Sequence, residues 1–252
     1  MITIEKIRTY GWTEAIRGMR NPLNSWDKMD SWSACDHPCL CDEDFDEYKQ
    51  DGVIPKLAEW PDTCPCSSSC DPYAEFYIGE NDLSLMKHLR KAGTDHRKYL
   101  RMICVYMDIT APMYWWSEFD TYKVGTVANS CSKMHKLLHK EFDLSDFSFD
   151  HLTDVLGSVE SSKVAESLVA TLNELRDCWL NESDVHARKR IWYSILQLLP
   201  NSYNQKRTVM MNYEALNSMY KARKNHKLYE WREFCKTVET LPYAKDLITE
   251  EE

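Results

Sequence analysis

The residues most able to do chemistry fall into two groups. The first is a run of thiols. Cys35, Cys39 and Cys41 are mirrored by Cys64, Cys66 and Cys70, two close clusters with a loop between them. Zinc takes four thiolates tetrahedrally, and two such clusters can fold around it. Disulfide bracing is the alternative, and six free thiols the plain reading. Zinc is expected ahead of disulfides, because exposed thiols seldom crowd together without a task. The second group is spread along the chain: His96 in the turn Gly93-Thr94-Asp95-His96, then Tyr122 and Lys123, Thr126, Asn129, Ser132, Asn212 and Arg223. These are types that grip an anionic or heterocyclic ligand. Each also has an ordinary use. Asn212 can cap the helix after it, Arg223 can sit at a helix end, and His96 can be solvated. Cys104, Cys131, Cys178 and Cys235 read as core residues, with Cys131 set apart by its place in the candidate site loop.

Composition narrows the ligand. The chain has 252 residues, 43% hydrophobic and 12% aromatic, with a formal net charge of −9. That balance opposes binding along a nucleic acid polymer, which needs clustered Lys and Arg, but leaves room for one small anion. No apolar run reaches membrane-spanning length. The N-terminus lacks a basic start followed by an apolar stretch. A soluble cytoplasmic protein with reduced thiols is expected.

The elements that must position these residues read as a mixed α/β (α+β) domain spanning 1–252. Residues 2–9 alternate as a strand does, and Trp12 to Met19 reads as a helix. The stretch 21–72 reads as an acidic, Cys-rich insertion. Within it Asp36, Asp42, Glu43, Asp44, Asp46, Glu47, Asp51, Glu59 and Asp62 stand against Lys49 and Lys56. Asn81 or Asp82 is placed to cap a helix ending at Gly93. Leu100 to Ile109 reads as a buried strand, and Ala111-Pro112 as the start of an aromatic helix. Tyr114, Trp115, Trp116 and Phe119 on that helix are expected in the core or at an oligomer interface. The C-terminal half reads as helical. Val164, Leu168, Leu172 and Leu175 form one apolar stripe, and Ile191, Ile195 and Leu198 a second ended by Pro200. Helices at 213–223 and 228–238 follow.

Two segments together resemble the flavin-dependent thymidylate synthases. In Leu85 to His135, a helix, a turn with His96, a strand and Ala111-Pro112 precede Asn129-Ser130-Cys131-Ser132, which fits the family's Asn-x-x-Ser element. In Leu199 to Arg232, Leu199-Pro200, Asn212, Arg223, Glu230 and Arg232 keep the family's order, with Arg223 eleven residues after Asn212. The segments cover about a third of the chain. The chain departs from the family's Arg-His-Arg-x-x-Ser signature, carrying Thr121-Tyr122-Lys123 and Thr126 there. Met134 and His135 replace an Arg and a Tyr, and Leu196 stands at a phosphate-binding Arg.

The resemblance implies a flavin-dependent thymidylate synthase-like fold and one-carbon transfer to a dUMP-like uracil nucleotide with FAD. It implies substrate contacts at Arg223, Lys123 and Ser132, and cofactor contacts at His96, Tyr122, Thr126, Asn129 and Asn212. It also implies a homotetramer with shared sites, where Arg188, Lys189 or Arg190 of another chain makes up missing charge. Arg offers phosphate a bidentate fork and Lys only a point charge. The altered signature therefore favours a second reading, a non-catalytic nucleotide-binding or structural protein on the same fold.

Overall fold

A computed structural model describes residues 2–33, 76–132, 137–152 and 160–250. Strand β1 (Thr3–Tyr10) and helix α1 (Trp12–Arg20) form where their periodicities place them. The 21–72 stretch begins with two single 3-10 turns and β2 (Trp32–Ser33), which pairs with β3 (Phe76–Tyr77). It is pinned to α2 (Glu80–Lys91) by a buried polar knot. Asp82 accepts from Arg20 Nε at 2.6 Å, from Ser31 Oγ at 2.6 Å, and from the backbone N–H groups of Asp30 and Ser31 at 3.0 Å. The α2 cap is thus supplied from outside the helix, since the Asp30 carboxylate accepts from Asn81 N and Asp82 N. The cap expected from Asn81 or Asp82 does not form because Asp82 turns inward to Arg20. The six cysteines of the proposed metal or disulfide cluster lie outside the described residues. Among the described residues no group of His, Cys, Asp and Glu is placed to hold a metal ion.

The expected strand starts later than its apolar run. Arg97–Arg101 is a 3-10 turn and β4 covers Cys104–Pro112. Leu100 and Ile103 are apolar because they are fully buried, not because they are extended. Pro112 is the last strand residue, paired opposite Asn204, and precedes α3 (Met113–Phe119) rather than lying inside it. Two further strands break the expected pattern. They are β5 (Thr126–Ser130) and β6 (Asn204–Asn212). The sheet runs β1-β4-β6-β5, antiparallel throughout.

One face of this sheet is apolar and covered, as antiparallel sheets permit. Val105, Met107, Ile109, Val209 and Met211 are buried in one cluster with α1, α3, α6 (Tyr213–Arg223) and α7 (Tyr229–Glu239). Trp115, Trp116 and Phe119 are buried there too. These three rings of the aromatic helix are therefore core. Trp115 lies 4.8 Å from Trp231, ring to ring. The long helices α4 (Ser161–Asn181) and α5 (Val185–Leu198) pack on a second cluster around Leu137, Phe142 and Phe147, through Leu172 and Ile195. Val164, at the start of the first stripe, is exposed. No described helix is long and apolar enough to cross a membrane.

Candidate functional site

Asn212 sits where β6 ends and α6 begins. Its Oδ1 accepts from Ala215 N at 2.9 Å, so it caps the helix as Asn commonly does. Its amide also faces Gly125. That glycine has φ +77, and a Cβ there would stand 2.5 Å from Asn212 Nδ2. The turn before β5 can approach the α6 cap this closely only because residue 125 has no side chain. Thr126 closes the turn by donating its hydroxyl to Tyr122 O.

Between this turn and α6 lies a cavity of about 490 Å3, walled by Arg101, Thr121, Tyr122, Lys123, Val124, Gly125, Asn212, Glu214, Ala215 and Ser218. That volume is in the range of small-molecule sites, roughly 300–1,000 Å3. Two cations, Arg101 and Lys123, are on its wall. Glu214 is held by Arg97, whose Nε donates to it at 3.0 Å. The structure thus brings Tyr122, Lys123, Thr126 and Asn212 together from two segments far apart in sequence.

Arg223 is close but is not part of this wall. Its Nε donates to Tyr122 Oη at 2.8 Å, its Nη1 donates to Glu118 Oε2, and His226 Nε2 lies 2.9 Å from that Nη1. Its guanidinium also stacks 4.7 Å from the Trp231 ring centroid. Trp231 Nε1 donates to the same Glu118 oxygen at 3.1 Å. The sequence offered no packing reason for a cation at 223; Glu118 and Trp231 are that reason. Glu118 and His226 carry no sequence signal for this role, being joined to Arg223 only by the fold.

His96 belongs to a different cavity, of about 970 Å3, between α1, the following turns, α2 and the 3-10 turn Arg97–Arg101. Met19, Pro22, Leu85, Leu89 and Met102 make its apolar wall, with Lys28, His96 and Lys98 around them. The 3-10 turn separates the two cavities, giving Lys98 and Tyr99 to one and Arg101 to the other. Asn129 and Ser132 line neither. Asn129 pairs opposite Thr208 on the exposed edge strand, and Ser132 follows it. Leu196 packs against the second apolar cluster, so an arginine there would be misplaced. Met134 and His135 lie outside the described residues. Glu230 is buried and accepts the Tyr114 hydroxyl, tying α7 to α3. Burial first, and then Glu230, push the Tyr114 phenol upward. Of the other cysteines, Cys235 is buried and Cys104 half-buried, while Cys131 and Cys178 are exposed rather than core. Cys131 follows the end of an edge strand, which leaves one side of it to solvent.

No family model and no curated protein matches the chain. Solved structures do. Thymidylate synthase X from Helicobacter pylori, in a crystal structure with FAD and dUMP, superposes with a TM-score of 0.56 at 16% identity, covering 99% of this chain and 96% of that one. A second structure of the flavin-dependent enzyme from the same organism, complexed with FAD and dUMP, gives 0.57 at 16% identity over 98% of both chains. The likeness runs end to end and is one of fold.

Proposed function

We propose that this chain binds a uracil nucleotide such as dUMP in the 490 Å3 cavity, also takes FAD, and transfers a one-carbon group to the base. The observation that carries the reading is the convergence of Tyr122, Lys123 and Asn212 on one cavity within a fold shared along its whole length with enzymes solved with FAD and dUMP. Lys123 and Arg101, both on the cavity wall, suit a phosphate, since charge-assisted bonds to an anion are the strong ones. Of the cofactor contacts the resemblance implies, Tyr122 and Asn212 line the smaller cavity and His96 the larger one, whose apolar wall and cations suit part of a flavin nucleotide. Met19, Leu85, Leu89 and Met102 would form that wall, with Lys28, His96 and Lys98 beside it. When bound, the flavin supplies the redox chemistry, and the protein orients it and excludes water.

One observation favours a second reading. Arg223, which the resemblance assigns to the base, already bonds Glu118 and Tyr122. A chain that binds the nucleotide without catalysis would carry such a site. Flavin absorbance and calorimetry separate the two. The enzyme reading expects a protein that takes up FAD and binds dUMP, with Lys123→Ala weakening dUMP about tenfold or more, and most at low salt. Nucleotide binding without flavin uptake leaves the second reading. Binding of neither ends both.

A further inference from the structure

We infer that the Tyr122 hydroxyl is a specificity-determining donor of the 490 Å3 cavity and that Arg223 is a positioning residue that aims it. This rests on the nucleotide-binding reading and goes beyond it by naming what the ligand must present. Tyr122 Oη accepts from Arg223 Nε at 2.8 Å. A phenol oxygen has one proton and the acceptor capacity used here. Its own O–H is therefore turned away from Arg223, and among the described residues no acceptor takes it. Tyr122 is part of the cavity wall, and its remaining O–H is the donor we assign to a ligand oxygen.

The aim is rigid because Arg223 is held from several sides. Glu118 accepts its Nη1, the Trp231 ring lies under the guanidinium, and Trp231 in turn donates to Glu118. Tyr122 packs edge-on against the same indole at 5.9 Å. The Nε and Nη1 of Arg223 are engaged by the phenol and the carboxylate, and Arg223 is not among the cavity residues. Its planar fork reaches Glu118 and Tyr122 at once, which a lysine cannot do. The ligand this selects carries an acceptor oxygen at Tyr122, either a pyrimidine carbonyl or a phosphate oxygen.

A double-mutant cycle tests the assignment, with dUMP as the probe in calorimetry. Tyr122→Phe removes the hydroxyl and keeps the ring, and should weaken dUMP about threefold to tenfold, the scale of one neutral hydrogen bond. Arg223→Lys keeps the charge beside Glu118 but not the fork, and should cost a similar factor. Made in the Y122F background, R223K should add little, because the hydroxyl it aims is gone. Losses that multiply in full would mean that Arg223 touches the ligand itself, and would overturn the positioning role. If R223K does not fold, Y122F alone decides, since wild-type affinity in Y122F overturns the donor. A parallel titration with deoxyuridine separates the two acceptor sources. A loss shared by both ligands places the oxygen on the base, and a loss confined to dUMP places it on the phosphate. A wild-type protein that binds no dUMP fails at the underlying reading instead, and is recognised by that alone.

Discussion

At the scale of single residues, the firmest commitment in the molecule is Asp82. It is fully buried, and it accepts from a buried arginine, a buried serine hydroxyl and two backbone amides. Removing one partner of a buried ion pair leaves the other charge without solvent or counter-ion, at about 3–5 kcal/mol. Asp82→Ala should therefore lose stability on that scale in urea denaturation. A loss below about 1 kcal/mol would show that Arg20 finds another partner and that the knot is dispensable. The sequence pointed to Asp82 only as a helix cap. Its real work depends on residues up to 62 positions away, and no local pattern carries that. The same is true of Arg223. Its spacing from Asn212 was legible, but the Glu118 carboxylate that binds it is 105 positions distant.

At the scale of elements, the approach of the β5 turn to the α6 cap decides the shape of the smaller cavity. Gly125→Ala places a side chain at φ +77 and against the Asn212 amide. The backbone strain alone is about 1–2 kcal/mol, and the displaced Asn212 should also weaken dUMP. Gly93→Ala is the control, since φ is +105 there but nothing stands within 4 Å of the new Cβ. It should lower stability similarly in denaturant while leaving dUMP affinity unchanged. Equal dUMP binding by G125A would remove the turn from the site. Helices were the most readable elements, because α4, α5, α6 and α7 each repeat apolar residues at helical spacing. Strands β5 and β6 were not readable. β5 is an edge strand with little buried, so selection for alternation is weak. In β6 the inward positions include Gln205 and Arg207, and Arg207 lies flat 4.1 Å from the Trp116 ring while pairing with Asp120. A polar residue that reaches the core through its stem hides the strand pattern.

At the scale of the whole molecule, the described helices cover one face of the sheet, and among the described residues the other face carries exposed side chains. Tyr106 and Tyr10 stand on that outer face, 42% and 40% exposed, with their rings 5.8 Å apart. The homotetramer implied by the resemblance would draw on this face rather than on Trp115, Trp116 and Phe119, which are already enclosed. Light scattering at micromolar concentration should then give the mass of four chains, and Tyr106→Glu should lower it. A wild-type monomer would sink the expectation. The sheet order has a kinetic consequence as well. Its two central strands meet residues 100 positions apart, as at Asp108 and Thr208, and the Trp115 side chain finishes its packing only against Trp231. Pairings so distant along the chain make folding slow, because loop closure must precede the contacts that reward it. During synthesis, β4 and the tryptophans of α3 leave the ribosome long before β6 and α7 exist to cover them. For that interval the nascent chain leaves these apolar residues uncovered, and it is then that a chaperone has something to hold.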